Sequence, residues 1–489
     1  IFAAGNTHLT AQNIGIDGQL MSGGALDVAS RGNIHLNGSS QSGGNSQFKA
    51  GQNIHQTGSM TSGGNTDMQG QALMLGGNSR TTGNSTLKGT HISLTGNYNT
   101  SAHLDINSSD ELHISGELTS GGNANMQGQA LILSGNTRIG GNSTLKGDNI
   151  SLSGTYRGTG NLDINSTGGL SLGGFVHSGG NASLFASQHI GISGHFITNG
   201  ALLTGSNTFS LNTDAQMTVG QNANITANKS VAILGNATAG GMVSMKSEEF
   251  DLSGGIDAAA TELRGKNITL GTAGSTYSVR GSFGLDMTGT VTLRGGLSAT
   301  DNLAIVAGTS ATFGGDVTAG NNLSVNAGGD IHIAGNSKAT GSAQINASGN
   351  TTITGQFSGS DIMANGKNLS IHGPVVSSKQ ATLSATENIQ LDSSVNSQGA
   401  LTLQAGGNIN AQKSVTANGL QSNSQNLNIG ADLTSNGQTH ITTQKDTLVV
   451  GNIQSQGALN MQAGGNINAQ KSVPAAGLQS NSQNLNTSA

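Results

Sequence analysis

One recurring motif constrains this chain more than any other feature. Ser42-Gly43-Gly44-Asn45 returns as Ser62-Gly63-Gly64-Asn65, Ser120-Gly121-Gly122-Asn123 and Ser178-Gly179-Gly180-Asn181. Weaker versions stand at Gly83-Asn84, Gly141-Asn142 and Gly160-Asn161, and later punctuation falls at Gly241, Asn321, Gly341, Gly399, Gly419, Gly437, Gly457 and Gly477. The step is about 19 or 20 residues, so a chain of 489 holds about 24 units. A period of this length belongs to solenoids: one unit cannot bury its own apolar face and must stack on its neighbours.

Longer identities lie on top of the short period. Gly70-Gln71-Ala72-Leu73-Met74-Leu75 is copied at Gly128-Gln129-Ala130-Leu131-Ile132-Leu133, and Asn84-Ser85-Thr86-Leu87-Lys88-Gly89 at Asn142-Ser143-Thr144-Leu145-Lys146-Gly147. The run from Gln404 to Val415 returns from Gln462 to Val473. All three copies are displaced by the same offset, which equals three units, so duplication ran in blocks of three.

Within a unit, apolar residues alternate over short stretches. Leu26 and Val28 form a first pair and Ile34 and Leu36 a second; Ala182 and Leu184 with Ile190 and Ile192, and Leu323 and Val325 with Ile331 and Ile333, repeat the pattern. A third inward position precedes the next glycine at Leu20, Met60, Leu118, Val176, Ile197, Val317, Val375, Val395, Val415, Leu433, Ile453 and Val473. Period-two alternation reads as a strand with one buried face, and helical spacing is not sustained anywhere. Three short strands per unit predict an all-β fold, a right-handed parallel β-helix of triangular section. At about 4.8 Å per coil the full set would make a monomeric rod on the order of 115 Å long.

Composition agrees with this reading. Charged residues make up 9 % of the chain, against roughly 25 % in an average domain. There are 78 Gly but only 2 Pro, which cannot donate to a central strand's ladder. A narrow interior should exclude most large aromatics, and the corners should need positive φ, supplied by Gly and tolerated by Asn. Asn precedes the aliphatic residue at Asn33-Ile34, Asn53-Ile54, Asn149-Ile150, Asn267-Ile268, Asn388-Ile389, Asn408-Ile409 and Asn466-Ile467, where stacked amides can bond up a ladder. The expected organisation is one continuous solenoid with regular repeats over 1–200, less regular repeats over 201–300 and regular repeats over 301–489. In the middle stretch Leu263 to Leu285 is long and Leu285 to Leu303 short, and Lys246, Glu248, Glu249, Asp251, Glu262, Arg264 and Lys266 gather. That gathering reads as a bulged corner or as a receptor-contact bump.

Several functions are disfavoured. The net charge of −5 and the lack of a basic stretch argue against nucleic acid and an anionic membrane surface. No apolar run is long enough for a spanning helix. With no Cys there is no disulfide framework, thiolate metal site or thiol nucleophile. Asp27, Asp67, Asp105 and Asp163 recur outside, Asp27 and Asp67 two coils apart and the others further, with no sign of the cleft that paired catalytic carboxylates require. His35 and His55 fall at one place in consecutive coils but lack a third metal ligand, and His113 is remote. The Gly-rich runs have no Gly-Lys-Ser/Thr, and the sequons at Asn84 and Asn142 are expected by chance in so Asn- and Ser-rich a chain. No catalytic, metal or cofactor-binding residue is therefore assigned, and no cofactor is expected.

The pattern Gly-Ala-Leu-x-Leu-x-Ala-Gly-Gly-Asn-Ile-x-Ala, at Gly399 to Ala411 and with Met461 for the second Leu at Gly457 to Ala469, resembles the haemagglutinin repeats of the filamentous haemagglutinin family. The resemblance covers essentially the whole chain. It implies a β-helical adhesin of two-partner secretion, exported through an outer-membrane transporter to the surface of a Gram-negative bacterium, with a glycan or protein receptor on host or bacterial cells. Contact-dependent inhibition exoproteins are similar and use such a rod as the stalk of a toxin. The start, Ile1-Phe2-Ala3-Ala4-Gly5, has no Met and no signal-peptide pattern, so the chain reads as an interior piece. The expected function is a structural shaft that mediates or presents adhesion, not an enzyme. The alternatives are a β-helical polysaccharide lyase or hydrolase, a contact-dependent inhibition stalk, or a trimeric tail spike, for which no sequence feature argues.

Overall fold

A computed structural model describes residues 1–487, which are all-β with no helix. The chain forms two compact units: Ile1–Ser247 with Gly254–Asp257, and Glu248–Ser253 with the chain from Ala258 onward. Each is a parallel β-solenoid.

In the first unit a coil consists of Leu26–Ser30 (face A), Ile34–Leu36 (face B) and Ser39–Ser42 (face C). Each strand pairs in parallel with its counterpart one coil on: Leu26 with Ser46, Ile34 with Ile54, Ser40 with Met60. The second unit repeats the scheme, with Leu323 beside Ala343, Ile331 beside Thr351 and Ser337 beside Phe357. The three-unit block of the sequence has a structural meaning. Thr66 pairs with Ser85, Ser85 with Leu104 and Leu104 with Ala124, so that two equal steps are followed by one a single residue longer. Near the end Val395 pairs with Val415, Val415 with Leu433 and Leu433 with Ile453, and here the middle step is the short one. In these two stretches the pattern of step lengths spans three coils, whereas from Phe283 through Leu303 and Leu323 to Ala343 the step is constant.

Inward positions are filled as the alternation requires: Val28, Ile34, Leu184, Ile190, Val325 and Ile333 are essentially fully buried. Ile197 is an exception. Phe196 stacks between Val176 and Met217 and takes the inward place, which turns Ile197 outward beside His177. Val473, in the last coil, is only half-buried.

The expectation that aromatics stay out of the interior is wrong. Phe48, Phe196, Phe209, Phe250, Phe283, Phe313, Phe357, Tyr98 and Tyr156 are all buried. At three of these positions the ring has a small neighbour in the preceding coil: Tyr98 follows Ser79, Tyr156 follows Thr137 and Phe357 follows Ser337. Volume is conserved across two rungs rather than within one. Burial pushes the Tyr98 and Tyr156 phenols up to about 12. Enlarging a small partner should therefore overpack the channel: Thr137→Leu should cost about 2 kcal/mol, and paired with Tyr156→Leu much less, as denaturant midpoints of the single and double variants would show.

The corners also differ from expectation. Among the described residues only Gly271, Gly274 and Gly281 have positive φ, and no non-glycine residue does. At many other corners glycine is needed for closeness, not handedness. At the B–C corner Gly38, Gly58, Gly77, Gly96, Gly116, Gly135, Gly154, Gly174 and Gly194 form a column in which an added Cβ would collide with the carbonyl oxygen of the preceding coil.

Asparagine works as the spacing suggested. At the C–A corner of the first unit Asn65 donates its N–H to the Asn45 Oδ1 at 2.9 Å, Asn84 to Asn65 at 2.9 Å and Asn142 to Asn123 at 2.9 Å. At the A–B corner of the second unit Asn388 and Asn408 repeat this, and Asn368 and Asn426 reach back with their side-chain amides. Where the donor is the backbone, the Oδ1 satisfies a corner N–H that no strand ladder serves. Inside the C–A corner of the first unit the Ser22 hydroxyl sits within donating reach of two carbonyl oxygens, those of Gly5 at 2.8 Å and Ala25 at 2.9 Å. His103 replaces asparagine in one rung: its N–H donates to Asn84, and its Nδ1 accepts from the Asn123 N–H at 3.0 Å. A ring held with that nitrogen bare is a poorer rung than an amide, so His103→Asn should raise the unfolding free energy and His103→Ala lower it by about 1 kcal/mol, readable by thermal or urea melts.

Between 201 and 300 strands merge and the step changes length; merged strands also occur later, at Val395–Ala405, Val415–Ser424 and Ile453–Ala463. Leu202–Leu211 and Ala223–Ile233 are single strands of 10 and 11 residues that run straight through the A–B corner. In the second unit the pairing of Leu252 with Leu270 closes a shortened coil, and that of Ile268 with Val291 a lengthened one. The short step expected at Leu303 is absent: Leu285 pairs with Ile305 and Phe283 with Leu303, both at the ordinary spacing.

Candidate functional site

The outward Asp residues do share one row of face A. It runs His8, Asp27, Gln47, Asp67, Thr86, Asp105, Asn125, Thr144, Asp163. Asp67 and Asp105 are also two coils apart, closer than the sequence reading had them. Each acid is separated from the next by neutral residues, and two have local partners: His8 Nδ1 lies 2.8 Å from Asp27 Oδ2, and Gln47 Nε2 donates to Asp67 at 3.3 Å. The row is flat and strand-borne, with no facing wall.

His35 and His55 are register partners, their rings edge-to-face with centroids 6.0 Å apart. His113 lies in the same row three coils beyond His55, where it meets Ser134 at 3.1 Å. Among the described residues no three His, Cys, Asp or Glu side chains converge on a metal-sized site. The sequon asparagines are corner rungs, Asn84 accepting from His103 and Asn142 from Asn161, which gives both a structural task.

Carboxylates in the second unit bind coils together. Asn368 and Lys367 hold the Glu387 carboxyl below its usual range, and the Gln390 amide, with His372, does the same for Asp392. A lowered folded-state pKa contributes stability above the unfolded carboxylate value, and this is lost as pH falls through the folded value. Both groups lie at the surface, so the effect is small. Asp392→Asn should lower the melting midpoint slightly at pH 7 and not at pH 2, which paired thermal melts would test.

The irregular stretch builds something the regular coils do not. The long step to Val291 inserts the loop Gly271 to Ser275, with positive φ at Gly271 and Gly274. Thr272 and Ser275 staple the loop: Ser275 Oγ donates to the Thr272 carbonyl at 2.7 Å and accepts from the Thr272 N–H at 3.2 Å. Behind it lies a groove of about 590 Å³ lined by Phe250, Asp251, Ser253, Thr269, Tyr277 and Arg294, among others. Leu252, Leu270 and Leu293 stack beneath it, so Ser253, Gly271 and Arg294 follow one another in consecutive coils. Gly271 leaves the middle rung without a side chain.

The groove's charged side chains and its phenol are unspent. Asp251 and Arg294 are exposed, and neither side chain has a hydrogen-bond or ion-pair partner among the described residues. The Tyr277 hydroxyl is buried without a partner, its ring tilted against Phe283 at 6.3 Å, and burial pushes its pKa strongly up. By contrast Arg264, among the gathered charges of the same stretch, is engaged by Glu262 at 3.4 Å. Asp251 was among the residues the charge pattern picked out. Tyr277 and Arg294 were not, and the lengthened step was the one signal that could have found them. Comparisons with protein-family models, with curated proteins and with solved structures find no match to this chain.

Proposed function

We propose that this chain is the repetitive shaft of a secreted surface adhesin of the filamentous haemagglutinin type, with no catalytic step of its own. The observation that carries the proposal is the economy of the coils: strand follows strand at near-constant register with short corners, so cohesion comes from main-chain ladders and the outer faces remain free to vary. Ser, Thr, Asn and Gln dominate those faces, giving a surface that can meet a glycan or protein without strong charge steering. In this reading an outer-membrane transporter exports the chain to the surface of a Gram-negative cell, by analogy with the family whose repeats it resembles. A contact-dependent inhibition stalk would use the same coils, and only a toxin segment in the parent reading frame would separate the two.

Beads coated with the purified chain test the adhesive reading. Saturable attachment to epithelial or bacterial cells, competed by soluble chain, is expected. Attachment no better than that of bare beads would contradict it. A panel of uronate polymers incubated with the chain should keep its viscosity and release no unsaturated or reducing ends; clear turnover would favour a β-helical polysaccharide lyase or hydrolase.

A further inference from the structure

The groove at the lengthened step is built differently from other recesses on these coils. A groove of about 460 Å³ in the first unit is lined by Gln127, Gln129, Lys146 and Asp148, but Thr167 already occupies the Asp148 carboxylate. One of about 620 Å³ in the second unit has Lys413 and Lys471 at its rim, and its acid, Asp432, accepts from both the backbone and the side-chain N–H of Asn452. Neither is lined by an aromatic side chain. The groove behind Gly271 brings together an unpaired carboxylate, an unpaired guanidinium, an unpartnered buried phenol and two aromatic rings, Phe250 and Tyr277.

Such a set suits a ligand that is charged at one end and hydroxylated at the other. A guanidinium is a planar two-pronged donor matched to a carboxylate. A carboxylate accepts from two adjacent hydroxyls, which neutral amides do less well. Asp251 and Arg294 stand in coils two strand spacings apart, about 9.6 Å, and two residues apart along the strand, since Asp251 shares its row with Thr269 and Thr292; the bare rung at Gly271, between Ser253 and Arg294, opens the space beside the guanidinium. The Tyr277 ring offers an apolar wall. From this geometry we infer that the groove formed by Asp251, Ser253, Gly271, Tyr277 and Arg294 binds one acidic sugar residue of a glycan, Arg294 holding its carboxylate and Asp251 its vicinal hydroxyls. The inference rests on the adhesin reading and gives it a ligand class and a place. The site binds and releases; no bond is made or broken.

Calorimetric titration of the full chain tests it with three probes: an oligogalacturonate, sialyllactose and neutral lactose. The first two distinguish a hexuronic from a nonulosonic acid as the source of the carboxylate. One of them should bind at least tenfold more tightly than lactose. Arg294→Ala and Arg294→Lys should each weaken that binding at least tenfold, the lysine because a point charge cannot reproduce the fork, and Asp251→Asn several-fold. Arg294 is exposed, so the melting curve of its variants should match that of the parent chain. Equal binding of lactose, no binding of either acidic probe, or an Arg294→Ala variant that binds like the parent would each overturn the assignment. The two readings fail separately. Cell attachment that persists in an Arg294→Ala chain with parent-like glycan affinity sinks the groove and spares the adhesin. Arg294-dependent glycan binding by a chain that attaches to no cell does the reverse.

Discussion

Leu184→Asp should unfold the coils around it, whereas Ser183→Asp, one residue away, should leave them intact. Leu184 is fully buried on face A, stacked between Ile164 and Thr204. An aspartate there would lose the leucine's burial and hold a carboxylate with no counter-charge in a channel of aliphatic side chains. The combined cost is about 5 kcal/mol or more. Ser183 belongs to the outward row that already carries Asp163 in the preceding coil, so a carboxylate there stays in water. Because each coil contacts only its neighbours, the damage should be regional. Hydrogen exchange read by mass spectrometry should show lost protection over roughly the two coils on either side, with distant coils unchanged. Equal effects of the two substitutions would mean that the inward and outward assignment is wrong.

Gly77→Val should be nearly as disruptive, for a reason that has nothing to do with hydrophobicity. Gly77 is one rung of the B–C corner column, and a Cβ there would overlap the carbonyl oxygen of Gly58. The contact is with backbone rather than with the tip of a flexible side chain, so relief requires the coils to part and their ladder bonds to lengthen. A cost of about 3 kcal/mol is expected. Gly15 provides the control: a Cβ there meets open space, and its backbone is an ordinary strand. Gly15→Ala should be neutral or slightly stabilising. Urea titrations of both variants would make the comparison, and indifference at Gly77 would refute close corner stacking.

These two cases show what could be read from the linear chain. Alternation such as Leu26-Asp27-Val28 is a local signal that identifies strands and their inner face, and the period identifies their partners. Misreadings arose where the deciding neighbour lies one coil away. His195-Phe196-Ile197-Thr198 contains two adjacent apolar residues, and only Val176 and Met217 choose Phe196 for the interior. Tyr98 looks too large for the channel until Ser79, its partner in the preceding coil, is placed beside it. The glycines were given a conformational role because turns usually demand one; the closeness of Gly58 to Gly77 exists only once the coils are stacked. The groove was half-visible. The lengthened step and Asp251 stood out, but Tyr277 and Arg294 become neighbours of that acid only through the loop that the extra residues form.

The central claim is that the polypeptide winds in parallel with consecutive coils in register, and the absence of native cysteine allows a direct measurement. Thr86 and Asp105 are register partners on the outer side of face A, and Asp105 pairs in turn with Asn125. Two double variants, Thr86→Cys with Asp105→Cys and Thr86→Cys with Asn125→Cys, would be oxidised under identical mild conditions and the linked fraction determined by mass spectrometry. Partners one strand spacing apart, about 4.8 Å, are within disulfide reach, whereas two spacings, about 9.6 Å, are not. The account predicts near-complete linkage of the 86–105 pair and little within the 86–125 pair. Efficient linkage of 86 to 125, or failure of 86 to link to 105, would contradict it.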